Sequence, residues 1–421
     1  MSRILHFCRF TAILFFLIGL PTGILAQIYP VPGGDQKQDT HQYMGNIPKG
    51  FSEVPYFTFG SGIGIFSPDS LYSFNLRFRI QNRAAFTFKE SSLDEVEARV
   101  RRLRLRFDGF VYSPKIYYVV QLSFSREDMD WQNTGVPNII RDAMIFYKPH
   151  PKLQLGFGQT KLPGNRQRVN SSGDLQFADR SIVNARLNVD RDFGLQAAYT
   201  ENIFKRFYTV FRAALTTGEG RNILATGKGL AYTGRVEILP FGLFEKFGDY
   251  FEGDLIREQR PKVSAGFTYS YNESTLKTGG QIGIPLFEAR DMTTLATDWL
   301  LKYNGFSLAS EFLYRDSQNP LTFNGTGDVR YIYTGLGQNY QAGYIFPSNY
   351  ELALRYSRMD ASGVITSLEP DIQHFTVGAT KYLKGHRLKF QTDLTYELSS
   401  FATSVVPQES FYLRFQLELG I

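Results

Sequence analysis

From Tyr72 to Ile80 the chain reads Tyr-Ser-Phe-Asn-Leu-Arg-Phe-Arg-Ile, an unbroken alternation of apolar and polar side chains. A period of two does not suit a helix; it belongs to a strand with one apolar and one polar face. Further runs of this kind lie near 99–112, 115–126, 138–148, 152–161, 192–200, 205–216 and 229–239. A second series lies near 261–271, 293–303, 305–315, 333–346, 349–358, 371–382, 386–397 and 409–421. With the first run they make sixteen, an even number, as a closed single-chain antiparallel barrel requires.

The connections point the same way. If the first strand climbs from one rim, every second connection returns at that rim and is short: Ser113-Pro114, Pro149-His150-Pro151, Glu201-Asn202, Asn304-Gly305, Pro347-Ser348-Asn349 and Lys384-Gly385. These supply the Gly, Pro and Asn that tight turns need. The alternate connections read mostly as long loops, the asymmetry of an outer-membrane barrel with its short turns in the periplasm. Residues 240–260, rich in Phe and Gly, break the rule by being long on the short-turn side, and nothing in their composition explains it. The chain ends Phe411-Tyr412-Leu413-Arg414-Phe415-Gln416-Leu417-Glu418-Leu419-Gly420-Ile421, alternating to its last residue. An exposed apolar edge aggregates, so this strand is expected to pair with the first.

The polar register decides which face meets lipid. It carries Arg77 and Arg79, then Arg102, Arg104 and Arg106, and later Arg212, Arg235, Lys302, Arg315, Arg355, Arg387, Lys389 and Arg414. Against them stand Asp108, Glu237, Asp298, Glu311, Glu351, Asp393 and Glu418, roughly one acid for two bases. A soluble barrel would wet this face and bury the leucines. A membrane barrel of sixteen strands instead turns Leu103, Leu105, Phe107, Trp299, Leu352 and Leu354 to lipid and keeps the charges in a watery lumen. Arg102, Arg104 and Arg106 share one strand face at steps of about 6.6–6.8 Å. They form either a ladder that hands an anion along or a solvated basic face neutralised by its neighbours. Nucleic acid is a poor partner, because the interleaved leucines would then face water.

Composition removes other classes. The aromatics are 37 Phe and 25 Tyr against two Trp, and the only cysteine is Cys8. Arg3 and Arg9 flank the start of an apolar run, Phe10 to Leu20, that ends at Pro21-Thr22-Gly23 and is followed by a cut expected after Ala26. This is the form of a cleaved secretory signal peptide, 1–26, too short to span a bilayer. Residues 27–55 are polar and rich in Gly, Pro and Gln, a flexible periplasmic lead-in to a barrel at 56–421. The exported chain would hold no cysteine, so barrel closure rather than disulfides must hold it together. Removing Arg3 and Arg9 lowers the formal charge from +6 by two, to about +4, too small a balance to argue for nucleic acid.

The longest outer connection, Lys161 to Asp192, is the third on its side. It carries Lys161, Arg166, Arg168, Arg180, Arg186 and Arg191 against Asp174, Asp179, Asp190 and Asp192. A long aperiodic loop is usually functional or disordered. Here it is expected to fold into the lumen as a constriction, its mixed charges fixing its shape.

Several stretches then resemble one family. They are Gly158-Gln159-Thr160-Lys161-Leu162-Pro163, Ser171-Ser172-Gly173-Asp174-Leu175-Gln176-Phe177, Asp179-Arg180-Ser181-Ile182-Val183-Asn184 and Arg191-Asp192-Phe193-Gly194-Leu195-Gln196. With Arg102-Leu103-Arg104, Asp142-Ala143 and Gly385 to Gln391, they are similar, in order from about residue 56, to the phosphate-selective porin O and P family. The resemblance implies a sixteen-stranded bacterial outer-membrane barrel, often trimeric, with an inward-folded third loop and basic lumen residues that pass anions. It places Lys161 on the family's lysine at the mouth of that loop. Thr160 stands where the family has an aromatic residue, and Gly164-Asn165 where it has an aromatic-glycine pair.

No enzyme is expected. His41, His150, His374 and His386 show no metal spacing, Gly227-Lys228-Gly229 lacks the pattern of a phosphate loop, and no cofactor is implied. Two classes remain: a passive channel favouring anions, or a barrel whose outer loops serve binding or adhesion. The expected partners are outer-membrane lipid and small anions in transit. The residues expected along the anion path are Arg77, Arg79, Arg102, Arg104 and Arg106, with Lys161, Arg166, Arg168, Arg180 and Arg186 in the constriction loop.

Overall fold

Aromatic, β-branched and leucine side chains alternating with polar ones form long antiparallel strands in the computed structural model, which describes residues 56–58, 62–90, 92–130, 135–223, 229–401 and 406–421. The expected signal peptide and lead-in lie outside the described residues. Two short strands come first, β1 (Tyr56–Thr58) and β2 (Gly62–Phe66). Then follow β3 (Ser73–Lys89), β4 (Ser92–Val111), β5 (Ser113–Ser123), β6 (Ile140–His150), β7 (Leu153–Lys161) and β8 (Arg191–Phe204). The wall continues through β9 (Phe207–Thr216), β10 (Ala231–Leu239), β11 (Lys262–Lys277), β12 (Pro285–Tyr303) and β13 (Phe306–Asp316). After a small outer hairpin, β14 (Leu321–Phe323) and β15 (Val329–Tyr331), it resumes with β16 (Gly335–Ile345) and β17 (Tyr350–Ala361). The last three strands are β18 (Asp371–Lys384), β19 (Leu388–Ser400) and β20 (Gln408–Gly420).

Of the 18 strands in the main sheet, all but β1 and β2 make up the sixteen-stranded barrel. Closure is the pairing of β20 with β3, from Ser410 opposite Lys89 to Gly420 opposite Arg79. Below Arg79, β2 takes over the edge of β3, setting Ile63 against Leu76 and Phe66 against Ser73. The two pairings give partner strands to the edge of β3 from Ser73 to Leu76 and from Arg79 to Lys89, and the Ile421 N–H donates to the Phe78 carbonyl at 3.1 Å between them.

Two outer connections are shorter than the sequence suggests. β3 and β4 remain paired up to Lys89 opposite Ser92, and Glu90 takes a left-handed conformation at φ 47°. β11 and β12 likewise continue far outward, to Lys277 opposite Pro285. The alternation in these upper stretches is broken by runs such as Ala84-Ala85-Phe86 and Asp94-Glu95, because beyond the lipid both faces meet water.

The faces are as the alternation demands. Trp299, Leu352 and Leu354 are 54–60% exposed on the outside, while the lumen-facing Arg235, Lys302, Arg315 and Lys389 are almost wholly buried. That burial has a cause the sequence disclosed only in part: the lumen is occupied from both ends, by the third outer loop and by residues 240–261. From outside, residues 162–190 carry two short helices, α1 (Arg166–Val169) and α2 (Ile182–Leu187), the second capped by Ser181, which accepts the Asn184 N–H at 3.2 Å. Val183 and Leu187 of α2 pack on Ala296, Leu313 and Met359 of the wall. From the periplasmic side, residues 240–261 rise into the barrel through a 3₁₀ turn at Glu245–Tyr250. Phe244 and Tyr250 pack on Val210, Leu239 and Leu300, which are apolar residues on the lumen register.

Candidate anion pathway

The pairing of β3 with β4 sets two arginine rows side by side. Arg77 is opposite Arg106, Arg79 opposite Arg104, and Gln81 opposite Arg102. Like charges directly across a sheet repel, so this arrangement survives only where carboxylates or water intervene. Each rung has its acid. Asp108 bridges Arg77 and Arg106. Glu418 lies 3.3 Å from Arg79, and Asp128 lies 2.5 Å from Arg104. Arg102 donates to Gln81 Oε1 at 2.6 Å and has Asp179 at 3.8 Å. The ladder is therefore real in geometry, and the neutralised face is real in charge: all five strand arginines share the lumen face, and each is beside a carboxylate.

The surplus of charge stands next to the ladder, where the third outer loop crosses it. Arg104, Arg141, Lys161, Arg168, Arg180 and Arg191, with Gln121, Ser171 and Ser172, line a cavity of about 20 Å³, room for one water-sized guest. Three carboxylates serve these six cations. Asp128 pairs with Arg104 and Arg141, Asp190 with Arg168 and Arg191, and Asp142 with Arg191 at 2.9 Å. Among the described residues Lys161 has no carboxylate in salt-bridge contact; its ammonium donates to the carbonyls of Val169 and Asn170 at 3.0 and 2.9 Å. Arg180 likewise donates to the carbonyls of Gln167 and Asn170. Burial, with Arg168 beside it, pushes Arg180 down to about 9, which leaves it charged at neutral pH.

The loop is held in place from across the lumen. Lys389 donates to the Leu175 carbonyl at 2.6 Å, Arg355 to that of Asp179 at 2.8 Å, and Arg315 to that of Asn188 at 2.9 Å. Asp393 accepts the Ala178 N–H. Burial works against the charge of Asp179, but Arg101, Arg83 and Arg102 hold its carboxyl well below the ordinary range; Arg168 and Arg191 do the same for the buried Asp190. On the outer side, Arg168 and Arg180 also line a vestibule of about 460 Å³ with Arg101, Arg102, Arg355 and Arg414. The same two residues thus stand between vestibule and inner cavity.

Not every expected residue joins this path. Arg166 turns to the opposite wall, donating to Asp298 at 2.7 Å and Ser264 at 2.7 Å, and so serves as an anchor of the loop. Arg186 reaches Glu369 of the loop between β17 and β18 at 2.9 Å. Arg141 and Asp128 went unnoticed in the sequence. Arg141 opens β6 on the same face as Ala143 and Ile145 in simple alternation, but a bulge opposite Gln121–Leu122 turns it inward beside Asp142. That local irregularity has no sequence signal.

Residues 74–244 match the family model described as phosphate-selective porin O and P. Among solved structures, the chain is similar to the anion-selective porin from Comamonas acidovorans at 12% identity and a TM-score of 0.52, covering 83% of this chain and 100% of that one. It is also similar to the outer-membrane channel DcaP of Acinetobacter baumannii, at 11% identity and a TM-score of 0.51, covering 83% and 97%. At such identities the likeness is one of fold. No curated protein matches the chain in sequence. The stretch that matches the family pattern spans the arginine ladder and the constriction loop, and the chain folds around them as a closed sixteen-stranded barrel of the kind seen in solved porins.

Proposed function

We propose that this porin is a diffusion channel that favours anions, small phosphate-like ones among them, and that Lys161 and Arg180 set the preference. The observation that carries the reading is the inner cavity, where six cations meet three carboxylates and these two cations have none among the described residues. Low-dielectric walls focus such a surplus, so it acts more strongly in a narrow passage than in a wide one. The cavity's serine hydroxyls, Ser171 and Ser172, add donors suited to an oxyanion. Arg102, Arg104 and Arg106, with Arg77 and Arg79, form the flanking wall, paired with acids and so contributing less to selectivity than their number suggests. Residues 1–26 support export with removal of the leader, and the family resemblance supports assembly as trimers.

The test is the reversal potential of the purified porin in a planar bilayer across a KCl gradient. It is expected on the anion side, and to move toward the cation side in Lys161→Glu and Arg180→Glu. A channel that already prefers potassium, or one that ignores both substitutions, would refute this reading.

A further inference from the structure

Residues 240–261 connect β10 to β11 at the periplasmic rim, where a two-residue turn would suffice, yet they climb into the lumen and are held there. Lys302 donates to the carbonyls of Gly248 and Phe251 at 2.5 and 2.7 Å, and Arg166 to that of Asp249 at 3.0 Å. Glu252 donates its own N–H to the Asp174 carbonyl at 2.8 Å. Two features of this seat are costly. Asp249 is fully buried, and among the described residues no other residue donates a hydrogen bond to either carboxylate oxygen. Lys246 and Phe247 sit side by side in the left-handed region, φ 48° and 57°, which side chains larger than glycine rarely adopt. Strain of this kind persists only where surrounding structure enforces it, and it gathers in segments that switch.

We propose that residues 243–258 are a proton-sensitive plug, seated while Asp249 is neutral and released toward the periplasm when it ionises.

The charged groups around Asp249 cannot relieve it. Arg212 from β9 is committed to Glu237, Arg235 from β10 and Arg166 from the third loop to Asp298, and Lys302 from β12 to the two carbonyls. Burial pushes the Asp249 carboxyl up from 3.8 to about 7, with Arg166 pulling it down and Glu237 pushing it up. The sign follows from linkage. A carboxyl raised in the seated state favours seating fully below its ordinary value, and that advantage is lost as pH rises from about 4 to about 7. Glu258, at the plug's base, is raised by burial as well and acts in the same direction. His386, against Phe251, is held well below its ordinary value by burial and does not gain charge in this window.

The experiment is single-channel recording of the full porin at pH 5 and pH 8, in the same salt, for the wild type and three variants. Wild-type conductance is expected to be at least about twofold higher at pH 8. Asp249→Asn keeps the shape but cannot ionise; it should stay near the pH 5 level at both pH values, and Asp249→Asn with Glu258→Gln should show no pH response. A variant with 243–258 replaced by Asn-Gly should conduct at a high level at both. A pH response in the double variant equal to that of the wild type would overturn the proposal, as would an unchanged conductance after removal of the plug. Because conductance is read without regard to ion preference, a cation-selective channel would refute the anion reading and leave this one standing.

Discussion

Gln176 of the third outer loop donates its backbone N–H to the carboxylate of Glu252, in the periplasmic insertion, at 2.9 Å. Chain entering from opposite ends of the barrel therefore meets inside it. Gln341 of β16 donates to the same carboxylate at 2.9 Å, tying both segments to the wall.

Glu252→Ala removes the acceptor that the buried Gln176 N–H depends on, a loss of about 1–3 kcal/mol. Hydrogen exchange at Gln176 and around 240–261 should speed up while the strands stay protected. Unchanged exchange at Gln176 would show that the two segments are held independently.

Asp128→Asn frees Arg104 and Arg141 from their shared counter-ion beside the inner cavity. Anion preference should rise, most visibly at low salt, since at 0.1 M the charges act over only about 10 Å. The readout is reversal potential against ionic strength; an unchanged potential would mean that these arginines lie off the path.

Leu354→Arg puts a charge on the lipid face, where Leu354 is 60% exposed on the outside of β17. The cost at mid-membrane is about 2–4 kcal/mol, falling toward the interfaces. Folding yield into lipid vesicles should drop. A yield equal to that of the wild type would place this residue away from the hydrocarbon.

The third loop should respond to acid in the opposite sense to the periplasmic insertion. Asp179 and Asp190 are depressed in the native state, so their stabilisation is complete above the ordinary value of 3.8 and is lost as pH falls below it. Protease sensitivity of 162–190 should stay constant from pH 8 to pH 5 and increase only near pH 4 and below. An increase already at pH 6 would mean that other groups hold the loop.

Much of the barrel is legible in the sequence. Alternation along Tyr72–Ile80 and Phe411–Ile421 placed each side chain on its face, because in a strand neighbouring residues must point opposite ways. The strand count, the closure of β20 on β3 and the inward sense of Arg102, Arg104 and Arg106 all follow from that one rule. The third loop announced itself by length and mixed charge.

The insertion at 240–261 showed itself only as an anomaly. Its trace was there, in Leu300 between Asp298 and Lys302 and in Val210 and Leu239 on the same register: apolar residues on a face that should be wet. A single strand cannot say what would cover them.

What the sequence determined by itself is the local geometry: which residues lie on which face, and where strands turn. What only the tertiary structure decided is the balance of charge. Arg104 reads the same in sequence as Lys161, yet one is matched by Asp128, 24 residues away, and the other meets only carbonyls. Faces follow from covalent geometry that each residue carries with it. Ion pairing depends on which distant segments share the lumen, and that is settled only once the barrel has closed around them.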